Sequence, residues 1–149
     1  MKKTLVSLTL ALAASMAMAA DVGVSAVRDT NQHKFGIRAT LNVPVAGLAV
    51  TPQVSVTHIG GEYDRYGFGA DYTLATIGKV SVVGNAALVY QDTLAAGNDN
   101  GAGATVGLRA SYPVYKNVSV TGSMERFVEF NGLNNQNGTV FGLGLVAKF

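Results

Sequence analysis

The sequence predicts an all-β chain: eight antiparallel strands, closed as an up-and-down transmembrane β-barrel and preceded by a cleavable signal peptide. Three observations predict it. Apolar residues recur with a period of two along most of the chain after Ala20, and successive side chains of a strand point to opposite faces. The residues of the other parity are small or charged. No stretch after Ala20 is as long as the roughly 18 apolar residues of a helical span.

The N-terminus reads separately. Met1-Lys2-Lys3 is a basic head, Thr4 to Ala14 an apolar run, and Ala17-Met18-Ala19 a small-x-small site before Ala20-Asp21. That is the pattern of a secretory signal peptide cut after Ala19. A membrane anchor would need about 20 apolar residues, and this run is shorter. The expected division is therefore residues 1–19 as signal peptide and 20–149 as one barrel domain.

The strands follow in order. Val22, Val24 and Ala26 mark the first; Phe35, Ile37, Ala39 and Leu41 the second; Val50, Val54 and Val56, interrupted by Pro52, the third. Tyr66, Phe68, Ala70, Tyr72 and Leu74 make the fourth, and Val80, Val82, Gly84, Ala86, Leu88 and Tyr90 the fifth. Ala104, Val106, Leu108, Ala110 and Tyr112 make the sixth, and Val118, Val120, Gly122 and Met124 the seventh. Phe141, Leu143, Leu145, Ala147 and Phe149 end the chain. Polar linkers at 29–32, 60–62, 97–101 and 131–138 alternate with tighter turns at 44–47, 77–79 and 113–117. Their Asn, Asp and Gly residues suit the positive-φ positions of hairpins. In a meander this places the linkers at one end and the short turns at the other.

Two residues fit this frame badly. Pro52 cannot donate to a ladder, so the third strand is expected to start late or to bulge there. Arg126 falls on the apolar face if parity continues past Met124, which suits headgroup level; otherwise a bulge near Glu125 swaps the faces.

Composition narrows the classes. The 149 residues carry no Cys, 13% charge and a mean hydropathy of +0.27, where a soluble domain has about 25% charge. Without residues 1–19, Lys+Arg falls from 11 to 9 against 9 Asp+Glu, so the net charge falls from +2 to 0. A neutral chain without a basic patch has no footprint for nucleic acid. Two His and no Cys offer no metal-ligand spacing.

Period alone leaves a soluble barrel and a membrane barrel open. Residue type chooses between them. Gly36, Gly67, Gly69, Gly107, Gly142 and Gly144 share one face with Arg38, Asp71, Arg109, Glu125 and Lys148. Small residues beside long charged ones suit a narrow, filled interior and make a poor soluble surface. The other face carries nine of the twelve Phe and Tyr. Phe35, Tyr66, Tyr90 and Phe141 fall near the polar linkers, and Tyr72, Tyr112 and Phe149 near the short turns, as two interfacial aromatic girdles would.

Gly107-Leu108-Arg109, Pro113, Lys116-Asn117-Val118-Ser119-Val120, Glu125 and the terminal run from Phe141 to Phe149 resemble the small eight-stranded outer-membrane barrels of the OmpX/Ail and OmpA-transmembrane type. The resemblance implies the outer membrane of a Gram-negative bacterium, outward-facing loops and a monomer. It also implies contact with outer-membrane lipids and lipopolysaccharide, and an assembly signal in the last strand. Gly144 and Phe149 occupy the matching positions of that signal, while Ala147 stands where the family has a larger residue.

The expected function is structural or surface-interacting, with no enzyme activity, cofactor or metal. Arg38, Asp71, Arg109, Glu125 and Lys148 are expected to form a mutually neutralising lumen network, because buried charges must be paired. The rival reading of that set is a narrow ion channel. His58, with Glu62 close by, is the one candidate for a lipid A-modifying enzyme, but Ile59-Gly60 follows it and not the His-x-Ser-Asn pattern of such enzymes. A soluble periplasmic ligand-binding barrel is the remaining alternative. The Gly-x-Gly runs at 67–69, 101–103 and 142–144 precede no helix and do not read as phosphate loops.

Overall fold

The computed structural model describes residues 20–94, 100–131 and 137–149. Eight strands account for most of them: β1 (Asp21–Asp29), β2 (Lys34–Asn42), β3 (Thr51–Ile59), β4 (Tyr63–Ile77), β5 (Val80–Thr93), β6 (Gly101–Tyr115), β7 (Val118–Asn131) and β8 (Gly138–Lys148). Each pairs antiparallel with its sequence neighbours, and β8 pairs with β1, so the sheet closes into a barrel. Closure gives every strand two partners and leaves no open edge. The signal-peptide reading lies outside the described residues, as do parts of the linkers 97–101 and 131–138.

The seam between β1 and β8 runs from Asp21 opposite Lys148 to Asp29 opposite Val140. Above it, the Thr30 N–H and hydroxyl both donate to the Thr139 carbonyl, at 3.0 and 2.9 Å. Following paired residues from Asp21 round the sheet leads through Gly69 and Thr105 to Gly138. Gly138 lies at the opposite end of β8 from Lys148, which is the strong stagger that tilts barrel strands.

The turns use the residues expected of them. Gly78 at φ 61° closes the tight β4–β5 turn, while Gly61 at φ 76° and His33 at φ 54° serve the opposite end. Pro113 does not open the β6–β7 turn, as its sequence context suggests. It lies inside β6, next to a register shift between Pro113 and Tyr115 in the pairing with β7. Pro52 is the second residue of β3, with no register shift at it. Its carbonyl accepts from Val43 N–H at 3.0 Å, so its donorless nitrogen faces that same last rung beside β2.

The two faces are sharply unlike. Phe68, Leu108 and Leu145 stand on the outside, 67%, 45% and 54% exposed, while Arg38 is 4% exposed and points inward. Parity continues through β7, with Met124, Arg126 and Val128 all outward and Phe127 buried. No bulge swaps the faces near Glu125.

Candidate functional site

Inward parity gathers polar side chains from strands far apart in sequence. Arg38 on β2 donates through Nη1 to Glu125 Oε1 on β7 at 2.5 Å, across the barrel. Its Nε donates to Thr57 Oγ1 at 3.0 Å, and Asn85 Nδ2 donates to the same Glu125 oxygen at 3.0 Å. Gly107 lies directly opposite Glu125. A Cβ there would come within 2.6 Å of Asn85 Oδ1, so the missing side chain makes room for this group.

Nearer the short turns, Arg109 on β6 pairs with Asp71 on β4, and Gln53 Nε2 donates to Asp71 Oδ2 at 3.5 Å. A cavity of about 10 Å³ lies between the two ion pairs, lined by Arg38, Asn85, Arg109 and Glu125 among others. That is about the space one water requires. The structure thus brings Arg38, Glu125, Asp71 and Arg109 into two adjoining pairs. Lys148 does not join them. Its side chain is 62% exposed and stands 4.0 Å from Asp21, because β8 ends there and the side chain leaves the lumen at the rim.

The loop-side lumen holds residues that reasoning from the sequence did not place in any site. Val27, Ile59, Tyr63 and Val140 form one buried cluster, and Phe127 forms another with Ala87 and Val89. Arg65 lies between two rings, its guanidinium carbon 4.6 Å from the Tyr63 centroid and 4.1 Å from that of Phe127. Its Nε and Nη2 both donate to Gln91 Oε1, at 3.1 and 2.6 Å. The Tyr63 hydroxyl donates to Asp29 Oδ2 at 2.5 Å. The other Asp29 oxygen accepts from the Asn31 and Gln32 N–H groups, which ties this layer to the β1–β2 turn. The signal was present in the parity: Tyr63, Arg65 and Phe127 fall on the polar face, against the trend of the other aromatics.

The outer face carries the aromatic set. Phe35, Tyr72, Tyr90, Tyr112 and Phe141 are between 48% and 70% exposed, and Tyr66 is half-buried. Tyr66 lines an outer groove of about 610 Å³ with Val54, Val56, Phe68, Leu88 and Phe130. His58 also points outward. Its Nδ1 lies 2.5 Å from Asp64 Oδ1, whereas Glu62, close by in sequence, sits 3.5 Å from Lys34 Nζ. The residues directly opposite His58 are Ile37 and Asp64, neither of which carries a hydroxyl. At the C-terminus Gly144 packs against Ser25 on β1, and Phe149, exposed, donates its N–H to the Ala20 carbonyl at 3.2 Å.

No protein-family profile matches the chain, and no curated protein matches it. Solved structures do. The N-terminal β-barrel domain of Pseudomonas aeruginosa OprF is 14% identical, covers 88% of this chain and 97% of its own, and superposes with a TM-score of 0.71. Yersinia pestis outer membrane protein Ail is 10% identical over 88% of this chain and 99% of its own, with a TM-score of 0.61. Neisserial surface protein A is 17% identical over 88% and 95%, with a TM-score of 0.58. The chain has the fold of the small eight-stranded outer-membrane β-barrels.

Proposed function

We propose that this protein is an integral barrel of a Gram-negative outer membrane, a monomer with its linkers facing outside the cell and a structural or surface-interaction role. The observation that carries this reading is the inversion of the two faces: large apolar side chains outside, paired charges inside. In water that surface would be an aggregation liability. In hydrocarbon it is the favoured exterior, and the closed sheet supplies every backbone partner that lipid cannot.

The lumen set of Arg38, Asp71, Arg109 and Glu125 serves to fill and neutralise the interior. The loop-side layer around Arg65 and Phe127 supports a filled barrel over an ion channel. Lipids and lipopolysaccharide are its surroundings, and the last strand, with Gly144 and Phe149, is its assembly signal. The neighbouring fold includes surface proteins, which agrees with a role at the cell surface. Cell fractionation with a gel-shift assay tests the proposal. The expected result is an outer-membrane band that runs compact unheated and shifts on boiling. Extraction into buffer without detergent would overturn it in favour of a soluble barrel.

A further inference from the structure

We propose that the outer face of β7, β8 and β1 near the loops binds the phosphate group of an anionic membrane lipid, with Arg28 and Arg126 as its two ligands; this rests on the membrane reading above. Both arginines are exposed and point outward. Arg28 lies directly opposite Phe141 of β8, and Arg126 directly opposite Thr139 of the same strand. They therefore bracket β8 from either side, one side-chain step apart along it. The Arg28 guanidinium lies 5.5 Å from the Phe35 ring centroid, which draws it along the outer surface.

The charge pattern singles these two out. On the loop-side half, Lys34 has Glu62, His58 has Asp64, Arg38 has Glu125, and Arg65 is held by Gln91. Arg28 and Arg126 have no carboxylate partner among the described residues. Among the described residues, the outward acids of this level are Asp92 and the His58-paired Asp64, which face each other across β4 and β5, on the opposite side of the ring from β8. Among the described residues, the two arginines thus stand beside β8 with the outward acids across the ring from them. A guanidinium fork matches phosphate geometry and, unlike an ammonium, donates in a plane. Arginine on a lipid-facing strand is costly at mid-membrane and tolerated at the interface. Val24, Met124 and Leu143 lie just below, exposed and apolar, where the acyl chains of such a lipid would lie.

The test uses the protein refolded into phosphatidylcholine vesicles doped with phosphatidylglycerol or, separately, with diphosphoryl lipid A. Native mass spectrometry then reads which lipid stays bound on release. Wild type is expected to enrich the anionic lipid about tenfold over its bulk fraction. The Arg28→Gln/Arg126→Gln double variant is expected to lose that enrichment, and Lys34→Gln, whose lysine already has a carboxylate, to keep it. Arg28→Lys/Arg126→Lys is expected to retain only part of it. Enrichment in one dopant alone supports the site and names its lipid. No enrichment in wild type, or equal enrichment in the double Gln variant, overturns the site while leaving the membrane reading intact. A wild type that fails to float with vesicles of any composition overturns both.

Discussion

Near the loops the lumen is closed by Val27, Ile59, Tyr63, Phe127 and Val140, with the Arg65 guanidinium stacked among them. Midway down it is closed by Arg38, Glu125 and Asn85, and below them by Asp71, Arg109 and Gln53. The first layer tolerates imperfect matching, because dispersion and burial are non-directional. The second does not, because each charge is stable inside only while its partner is present. One barrel therefore holds a layer that responds to volume and a layer that responds to pairing.

The largest expected effect comes from breaking the pairing. Arg38→Met leaves Glu125 facing Asn85 alone and is expected to cost about 3–5 kcal/mol in the urea unfolding of the folded barrel in vesicles. The companion variant sharpens the point. Arg38→Met/Glu125→Leu removes both charges and is expected to return to within about 1 kcal/mol of wild type or above it. A double variant as unstable as the single would show that shape, and not charge, governs this layer.

The loop-side layer is probed by volume. Phe127→Ala removes a buried ring that also faces the Arg65 guanidinium, at an expected cost of about 3–4 kcal/mol. In contrast to the charge layer, Phe127→Leu is expected to recover most of that loss in the same unfolding measurement. Planar-bilayer recordings add a second readout. Wild type is expected to show no discrete conductance, and Arg65→Ala to show brief openings, since it removes the side chain between the two rings.

The difference between the layers also explains what the sequence made legible. Strict alternation disclosed the strands, the closed up-and-down barrel and the outward set, because a one-residue slip would reverse every side chain. Arg38, Asp71, Arg109 and Glu125 were readable because a charge at inward parity has few places to go. Tyr63, Phe127, Ile59 and Val27 carry inward parity too, but their apolar side chains on the polar face point to no pairing, and composition alone does not separate a lumen plug from a lipid-facing residue. Lys148 shows the complementary error. Its parity is inward, but parity does not say where the wall ends. The pairing of His58 with Asp64 and not with Glu62 depends on hairpin register, which residue types leave open.

A smaller effect separates directional from non-directional contacts inside the loop-side layer itself. Tyr63→Phe keeps the ring against Ile59 and Val140 but deletes the hydroxyl that donates to Asp29. Asp29 still accepts from the Asn31 and Gln32 N–H groups. The expected cost is therefore about 1–2 kcal/mol, that of a charge-assisted hydrogen bond whose acceptor keeps other donors.

The smallest effect is expected at the rim. Lys148 is solvent-facing and 4.0 Å from Asp21, and exposed pairs of this kind contribute about 0–1 kcal/mol and weaken with salt. Lys148→Gln is thus expected to unfold at nearly the wild-type urea concentration, with any difference gone in high salt. A loss as large as that of Arg38→Met would mean that the lysine turns back into the barrel in the membrane. The charge-paired layer would then extend to the short-turn end, and the contrast between the two layers would become a gradient along the whole lumen.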